Sequence, residues 1–520
     1  MARITYPVFL LLVALQAVII AAANAPPNAN HIFNAIHSSM RQWGSSLQHN
    51  GMSFFLATVP AGTQFYHGNA SPDPVNGTDW LAFEPEHAMV FARPFPPGPP
   101  PGKGPKRMSQ SPMQPERKES EKGPKEAGWL HTYTAAKDLR LLYIDGMSAG
   151  KTENGTLDSQ DRILLRDALE GRPGMLERER ADLFCGMARE NYQGRLDGVI
   201  RMEAGFEIIL CDFARDLHEV RVTRVKSDGK DRHPRARKGK GKPDGSLWFK
   251  AIAARYNGIG GNRVILNYDN FVTAYVYGLD LFRSSTSLPR LQHLFADELG
   301  PIRNDLDRLI MDHDPKDSTF NWQAIADMVV QRYAHELKYL ASGQLSTLQD
   351  LHNEIENSLG PFIDYNDRNP ALEADRCSMQ FFPMGIRADG LAGEAVRSVA
   401  RSICSTLVEA WDQTDYNTAT AQLRALVDYL AWSTWKECRG CADNEICVIP
   451  IWPMGTVEDY ENPQCRDASR PNGKGRRYWG DHGPPGGPGG PGEPSLSGWL
   501  IEMLYYVQAL VRESYGHVFQ

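Results

Sequence analysis

Two stretches of this chain have nothing with which to build a core, and they constrain how the rest can fold. Residues 93–126, "RPFPPGPPPGKGPKRMSQSPMQPERKESEKGPKE", and residues 226–245, "KSDGKDRHPRARKGKGKPDG", are Pro, Gly and charge with almost no large apolar side chain. Neither can offset the entropy lost on ordering. The first is expected to interrupt a domain as a loop, the second to link two domains. The Arg237-Lys238 pair in the linker reads either as a target for a dibasic processing protease or as part of a solvated basic run.

Before the linker, the runs "MSFFLATV", "TQFYH", "WLAF", "WLHTYTA", "LRLLYID", "DGVIRM", "FEIILCD" and "HEVRVTRV" are rich in aromatic and β-branched residues. They are short and broken by Gly, Asn, Asp or Pro, which predicts strands. Helical spacing intervenes at Ile32, Ile36, Met40, Trp43 and Leu47, and again over 84–92 and 159–191. Residues 24–225 are therefore expected to form an α+β domain. Beyond Trp248 five long stretches carry apolar residues at helical spacing, the last of them after the Gly/Pro-rich "GDHGPPGGPGGPGEPS", so 246–520 is expected to be an α-rich helical domain.

The chain opens with one Arg, an apolar run from Val8 and small residues before two prolines, the order of a secretory signal peptide, assigned to residues 1–23. No later segment is apolar for long enough to span a membrane, so none is expected once the signal is removed. Three N-x-S/T sequons, at Asn69, Asn76 and Asn154, fit a secreted, extracellular glycoprotein. Eight cysteines, Cys185, Cys211, Cys377, Cys404, Cys438, Cys441, Cys447 and Cys465, are an even set that favours disulfides in an oxidising compartment, with pairing left open. The net charge of −7 gives no drive toward nucleic acid.

Three motifs follow one another in the first half: "GTQFYHG" with His67, "WLAFEPEHAMVFAR", and "DGVIRMEAGFEIILCDF" with Glu207. In this order they resemble the ADP-ribosyltransferase fold, in the branch with His on its first motif and Glu on its last. The resemblance covers about residues 55–225 and implies a split sheet that binds NAD as co-substrate. Cleaving the glycosidic bond of NAD develops positive charge on the ribose, so such a site needs an anion there and groups that grip the hydroxyls. By resemblance, His67 would hold the adenosine-side ribose and the Gly68 backbone the nicotinamide amide. Glu207 would take the nicotinamide-ribose hydroxyl and stabilise the cation, while Trp80 or Phe91 would lie against the ring. The ADP-ribose would pass to a protein target or to water. The family's Tyr in the helix after the second motif is Phe91 here, and Glu203 competes with Glu207 for the acidic role. The reading needs His67 and Glu207 to line one cleft.

A second class of function stays open: a non-catalytic secreted or cell-surface protein, its helical half binding a partner and its first half a scaffold. In "WKECRGCADNEICVIPIWPMGTVEDYENPQC" the C-x2-C-x5-C-x17-C spacing superficially suggests zinc, but in a secreted chain two local disulfides are the expectation and no metal is assigned. This segment also resembles one found in uncharacterised secreted proteins of filamentous fungi. His335 and Glu336 in "YAHEL" lack the H-E-x-x-H spacing of a metalloprotease, and no nucleophile elbow or phosphate loop is present.

Overall fold

The computed structural model describes residues 26–48, 50–92, 128–152, 154–172, 176–225, 246–283, 288–317, 320–386, 389–452, 454–469 and 476–479. The expected signal peptide, the two unpackable stretches with Arg237-Lys238, and the last expected helix lie outside them.

The architecture is α+β, with a curled nine-stranded sheet built mostly from the N-terminal half and helices dominating the C-terminal half. The strands are β1 (Ser53–Val59), β2 (Gln64–Asn69), β3 (Asp79–Ala82), β4 (Trp129–Ala135), β5 (Leu139–Ile144), β6 (Gly198–Met202), β7 (Phe206–Leu210), β8 (Leu217–Arg224) and β9 (Ile265–Thr273), in the order β8-β4-β2-β3-β7-β6-β5-β1-β9. Strands β1, β6 and β7 are buried at every position, as expected of central strands covered on both faces.

Two features of this sheet position the site. First, β2 and β3 share a single paired position, Tyr66 with Ala82, whereas β2 pairs β4 along its whole length. The sheet therefore has a seam between β2 and β3. Second, β5 and β6 run parallel, which demands a crossover. The crossover consists of a π-helical turn, Ser159–Leu164, and the helix Glu177–Glu190 in place of the continuous helical pattern expected over 159–191. The disulfide Cys185–Cys211 ties that helix to the end of β7.

The expected boundary at 226–245 does not divide the packing. Strand β9, from beyond it, pairs β1 inside the same sheet, and the helix Ala29–Ser38 packs on Leu391–Trp411. One apolar core runs through both halves, and Arg41 clamps Asp327 of the helix Trp322–Ala341 with two hydrogen bonds of 2.6 and 2.7 Å. The helical half starts its helices by capping: Asn321, Thr347, Asn369 and Asp415 each accept a bond from the backbone N–H three residues on.

Candidate functional site

The crossover delivers charge to a place where β6 and β7 are otherwise apolar. Arg201, in the middle of β6, is fully buried, and its guanidinium binds Glu207 of β7 at 2.8 Å, Glu177 at the helix start, and Gln160 of the π-helical turn at 3.2 Å. Lys151 binds Glu203 at 2.5 Å and Glu177 at 3.3 Å, and Arg180 joins Glu177 to Asp161. The carboxylates of Glu177, Glu203 and Glu207 offer oxygens that all lie within 4.8 Å of one another. Three acids this close are tolerable only because Arg201, Lys151 and Arg180 stand among them.

The environment separates the acids. Burial pushes Glu203 up to about 7, and Lys151 counters this only in part, with Glu207 and Glu177 adding repulsion. Burial alone would also raise Glu177, yet Arg201, Lys151 and Arg180 hold it down at about 2. For Arg201 burial works against the charge, but Glu177, Glu207 and Glu203 raise its pKa above the ordinary value. One acid of the cluster is thus poised to carry a proton near neutrality beside another that stays ionised, the pairing that acid–base chemistry uses.

The other candidate residues gather at the seam. Cross-strand partners share a face of a sheet and neighbours along a strand alternate. Tyr66, Ala82, Glu207 and Arg201 form one row of partners, so Gly68 and Trp80, two residues removed from Tyr66 and Ala82, share the face of Glu207. His67 belongs to the next row, opposite His131, and its ring turns the other way. The expected facing of His67 and Glu207 across one cleft is therefore not what the register places: the two fall on opposite faces. The His67 ring lies edge-on to Phe213 and His131, and its Nδ1 meets the Trp80 carbonyl at 2.8 Å, spanning the seam where ladder bonds are missing.

On the Glu207 face, the helix Pro85–Met89 and the turn after it sit directly on Gly68. A Cβ added at Gly68 would collide with the Ala88 carbonyl oxygen and the Phe91 and Ala92 backbone, so glycine is required there for close approach rather than for a free phosphate- or amide-binding loop. Phe91 packs against His87 and the cluster around Trp43 and Trp248.

The sequons differ in their surroundings. Asn76 is exposed beside Gly77, whose φ of 83° marks a turn. Asn69 is half-buried, and its Oδ1 accepts from the Ala70 backbone at 2.7 Å. Asn154 donates its side-chain nitrogen to the Tyr478 carbonyl. The cysteines form four disulfides: Cys185–Cys211, Cys377–Cys404, Cys438–Cys447 and Cys441–Cys465. The zinc-like spacing is thus spent on two local staples, which also hold the hairpin of β10 (Glu445–Val448) and β11 (Gln464–Asp467). Among the described residues no helix is long and apolar enough to cross a membrane.

Sequence reasoning missed Lys151, Glu177, Arg180 and Arg201. The signal for one was present: an arginine inside "GVIRM", a run otherwise apolar, cannot be buried without acidic partners.

Residues 25–96 and 100–231 match the model of the YPL277C N-terminal domain family, a span that holds the whole charged cluster and the seam. The uncharacterized protein YPL277C of Saccharomyces cerevisiae is 34% identical over 216 residues, 37% of this chain and 42% of its own length. The uncharacterized protein YOR389W of the same yeast is 33% identical over 221 residues, 37% of this chain and 33% of its own length. The chain thus spans less than half the length of either relative. No solved structure matches.

Proposed function

We propose that the N-terminal half is an ADP-ribosyltransferase-like unit that takes NAD as co-substrate, in a secreted glycoprotein. The observation that carries this is the common face of Gly68, Trp80 and Glu207, with Glu203 beside Glu207. On that face the Trp80 ring would meet the nicotinamide, and the Glu207 carboxylate would stabilise positive charge developing on the ribose. Glu203, at about 7, would in its ionised form take the proton that the acceptor, a protein side chain or water, loses as nicotinamide departs. His67, pinned through Nδ1 to the Trp80 carbonyl, would act by fixing the seam. The four disulfides and the exposed Asn76 sequon fit an oxidising, glycosylating route.

The test is nicotinamide release from NAD by the purified chain. Release that falls by about two orders of magnitude in Glu207→Gln supports the reading. No release from the unaltered chain, or release unchanged in both Glu207→Gln and Glu203→Gln, rejects it.

Two observations favour a second reading, a non-catalytic extracellular scaffold whose helical half binds a partner. The backbone of residues 88–92 fills the space over Gly68, and Arg201 already neutralises Glu207. That reading expects no shift in melting temperature on adding NAD, whereas the enzyme reading expects a rise.

A further inference from the structure

We infer that Cys438, Cys441, Cys447 and Cys465 form a thiol–disulfide exchange site, at which a small-molecule thiol converts the pairing Cys438–Cys447 with Cys441–Cys465 into Cys438–Cys441 with Cys447–Cys465. Three observations carry this. The sulfurs of Cys438, Cys441 and Cys465 all lie within 4.8 Å of one another, although Cys438 belongs to one disulfide and the other two to its neighbour. Cys447 and Cys465 stand directly opposite each other in the β10–β11 hairpin. Opposed residues of an antiparallel pair have Cα atoms about 4.5–5.5 Å apart, inside the range of about 4.4–6.8 Å that a disulfide bridges. Cys438 and Cys441 end the stretch "CRGC", the C-x-x-C spacing that disulfide oxidoreductases use.

Both pairings fit one backbone. The hairpin ladder and the bond from the Tyr256 hydroxyl to the Cys447 carbonyl, at 2.9 Å, hold the chain in place whichever sulfurs are joined. All four cysteines are half-buried and within reach of solvent, whereas Cys377 and Cys404 are fully buried. Access of this kind decides which disulfides a thiolate can attack. The steps balance without an oxidant. The incoming thiolate attacks the Cys447 sulfur, forming a mixed disulfide and releasing Cys438 as a thiolate. Cys438 then attacks the Cys441 sulfur, which forms the Cys438–Cys441 bond and breaks the bond to Cys465. The Cys465 thiolate attacks the Cys447 sulfur of the mixed disulfide, forms the Cys447–Cys465 bond and returns the small thiol. No electrons are gained or lost, and the thiol is a catalyst. The exchange is independent of any action of the charged cluster on NAD.

The test incubates the full-length chain with reduced glutathione, without oxygen, at about pH 8, where a free thiol is partly ionised. Acid stops the exchange, and peptide mass spectrometry maps the linkages. Cys438–Cys441 and Cys447–Cys465 are expected to appear together and in equal amount, reaching at least about a tenth of the present pairing, because both pairings ask the same of the backbone. Cys377–Cys404 is expected to stay intact. A variant, Cys447→Ser, reads the central step with no added thiol. Its unpaired Cys438 should capture Cys441, so that alkylation of the folded monomer labels Cys465 as well as Cys438. Absence of the new linkages in the unaltered chain, an equal mixture of all three pairings that four cysteines allow, or label confined to Cys438 in the folded variant overturns the inference.

Discussion

The two sides of the β2–β3 seam solve burial of polar groups in opposite ways. On the Glu207 face, a fully buried arginine organises three carboxylates and two further cations into a network anchored on the crossover. On the other face, His67 sits among Phe213, His131 and one backbone carbonyl, with Asp79 3.8 Å away as its nearest acid. The first arrangement depends on every member, since removing one leaves charge unpaired in a dry place. The second is a local polar pin whose loss the surrounding aromatics can absorb. The first arrangement sets a carboxyl that holds its proton near neutrality beside one that stays ionised.

Breaking the network should cost most. Arg201→Met leaves Glu177 and Glu207 without their shared cation, and urea unfolding should register a loss of about 3–5 kcal/mol. A loss under about 1 kcal/mol would mean that Lys151 and Arg180 already suffice, and the contrast with the His67 face would weaken.

The next effect depends on pH. Glu203 stands at about 7 in the fold against an ordinary 4.5. The folded chain therefore holds a proton there that the unfolded chain has released, and stability falls as pH rises from about 4.5 through 7. Glu177 works the other way: held at about 2, it contributes stability above about 4.5 that is lost as pH falls toward 2. Glu203→Gln should remove its own share of the first slope, at most about 3 kcal/mol, and leave both the share of Glu84 and Asp145, which burial also raises, and the second slope. Denaturant midpoints measured from pH 4 to 8 would show a flattened upper limb, and a limb that stays as steep would assign the proton elsewhere.

Gly68→Ala tests the close approach of the 88–92 backbone and should cost about 1–3 kcal/mol by overpacking, read as a fall in melting temperature. The smallest effect is expected at the pin: His67→Gln, with one neutral hydrogen bond at stake, should cost about 1 kcal/mol. A larger loss at His67 than at Gly68 would reverse the ranking of the two faces.

How much of this was legible from residues alone follows a physical line. Runs such as "SFFLATV" and "FEIIL" declare strands because their apolar, aromatic and β-branched content has one use, and β1 and β7 lie where those runs stand. That Cys438, Cys441, Cys447 and Cys465 form two local staples was legible from their closeness in sequence, but which cysteine pairs with which was not. Strand β9 was not: "ILNYDNFVT" lies in the half expected to be helical, and nothing local says that it pairs β1 in the sheet of the other half. The charged cluster was half legible. Glu203 and Glu207 are near neighbours in sequence, whereas Lys151 and Glu177 reach them only because a parallel strand pair needs a crossover, and that is a property of the whole sheet. The facing of His67 and Glu207 could not be read, since alternation along β2 matters only once its register with β3 is known.

Asn154 carries a last consequence, which concerns the order in which the chain is made. Its side-chain nitrogen is the atom a sequon offers to a sugar, and the same nitrogen holds the Tyr478 carbonyl, 324 residues later in the chain. It cannot do both. A glycan added to the growing polypeptide would arrive long before Tyr478 is synthesised, so the race between the transferring enzyme and the ribosome would be settled before folding finishes. In a glycosylating cell a modified Asn154 would thus meet the 476–479 segment with its sugar already in place.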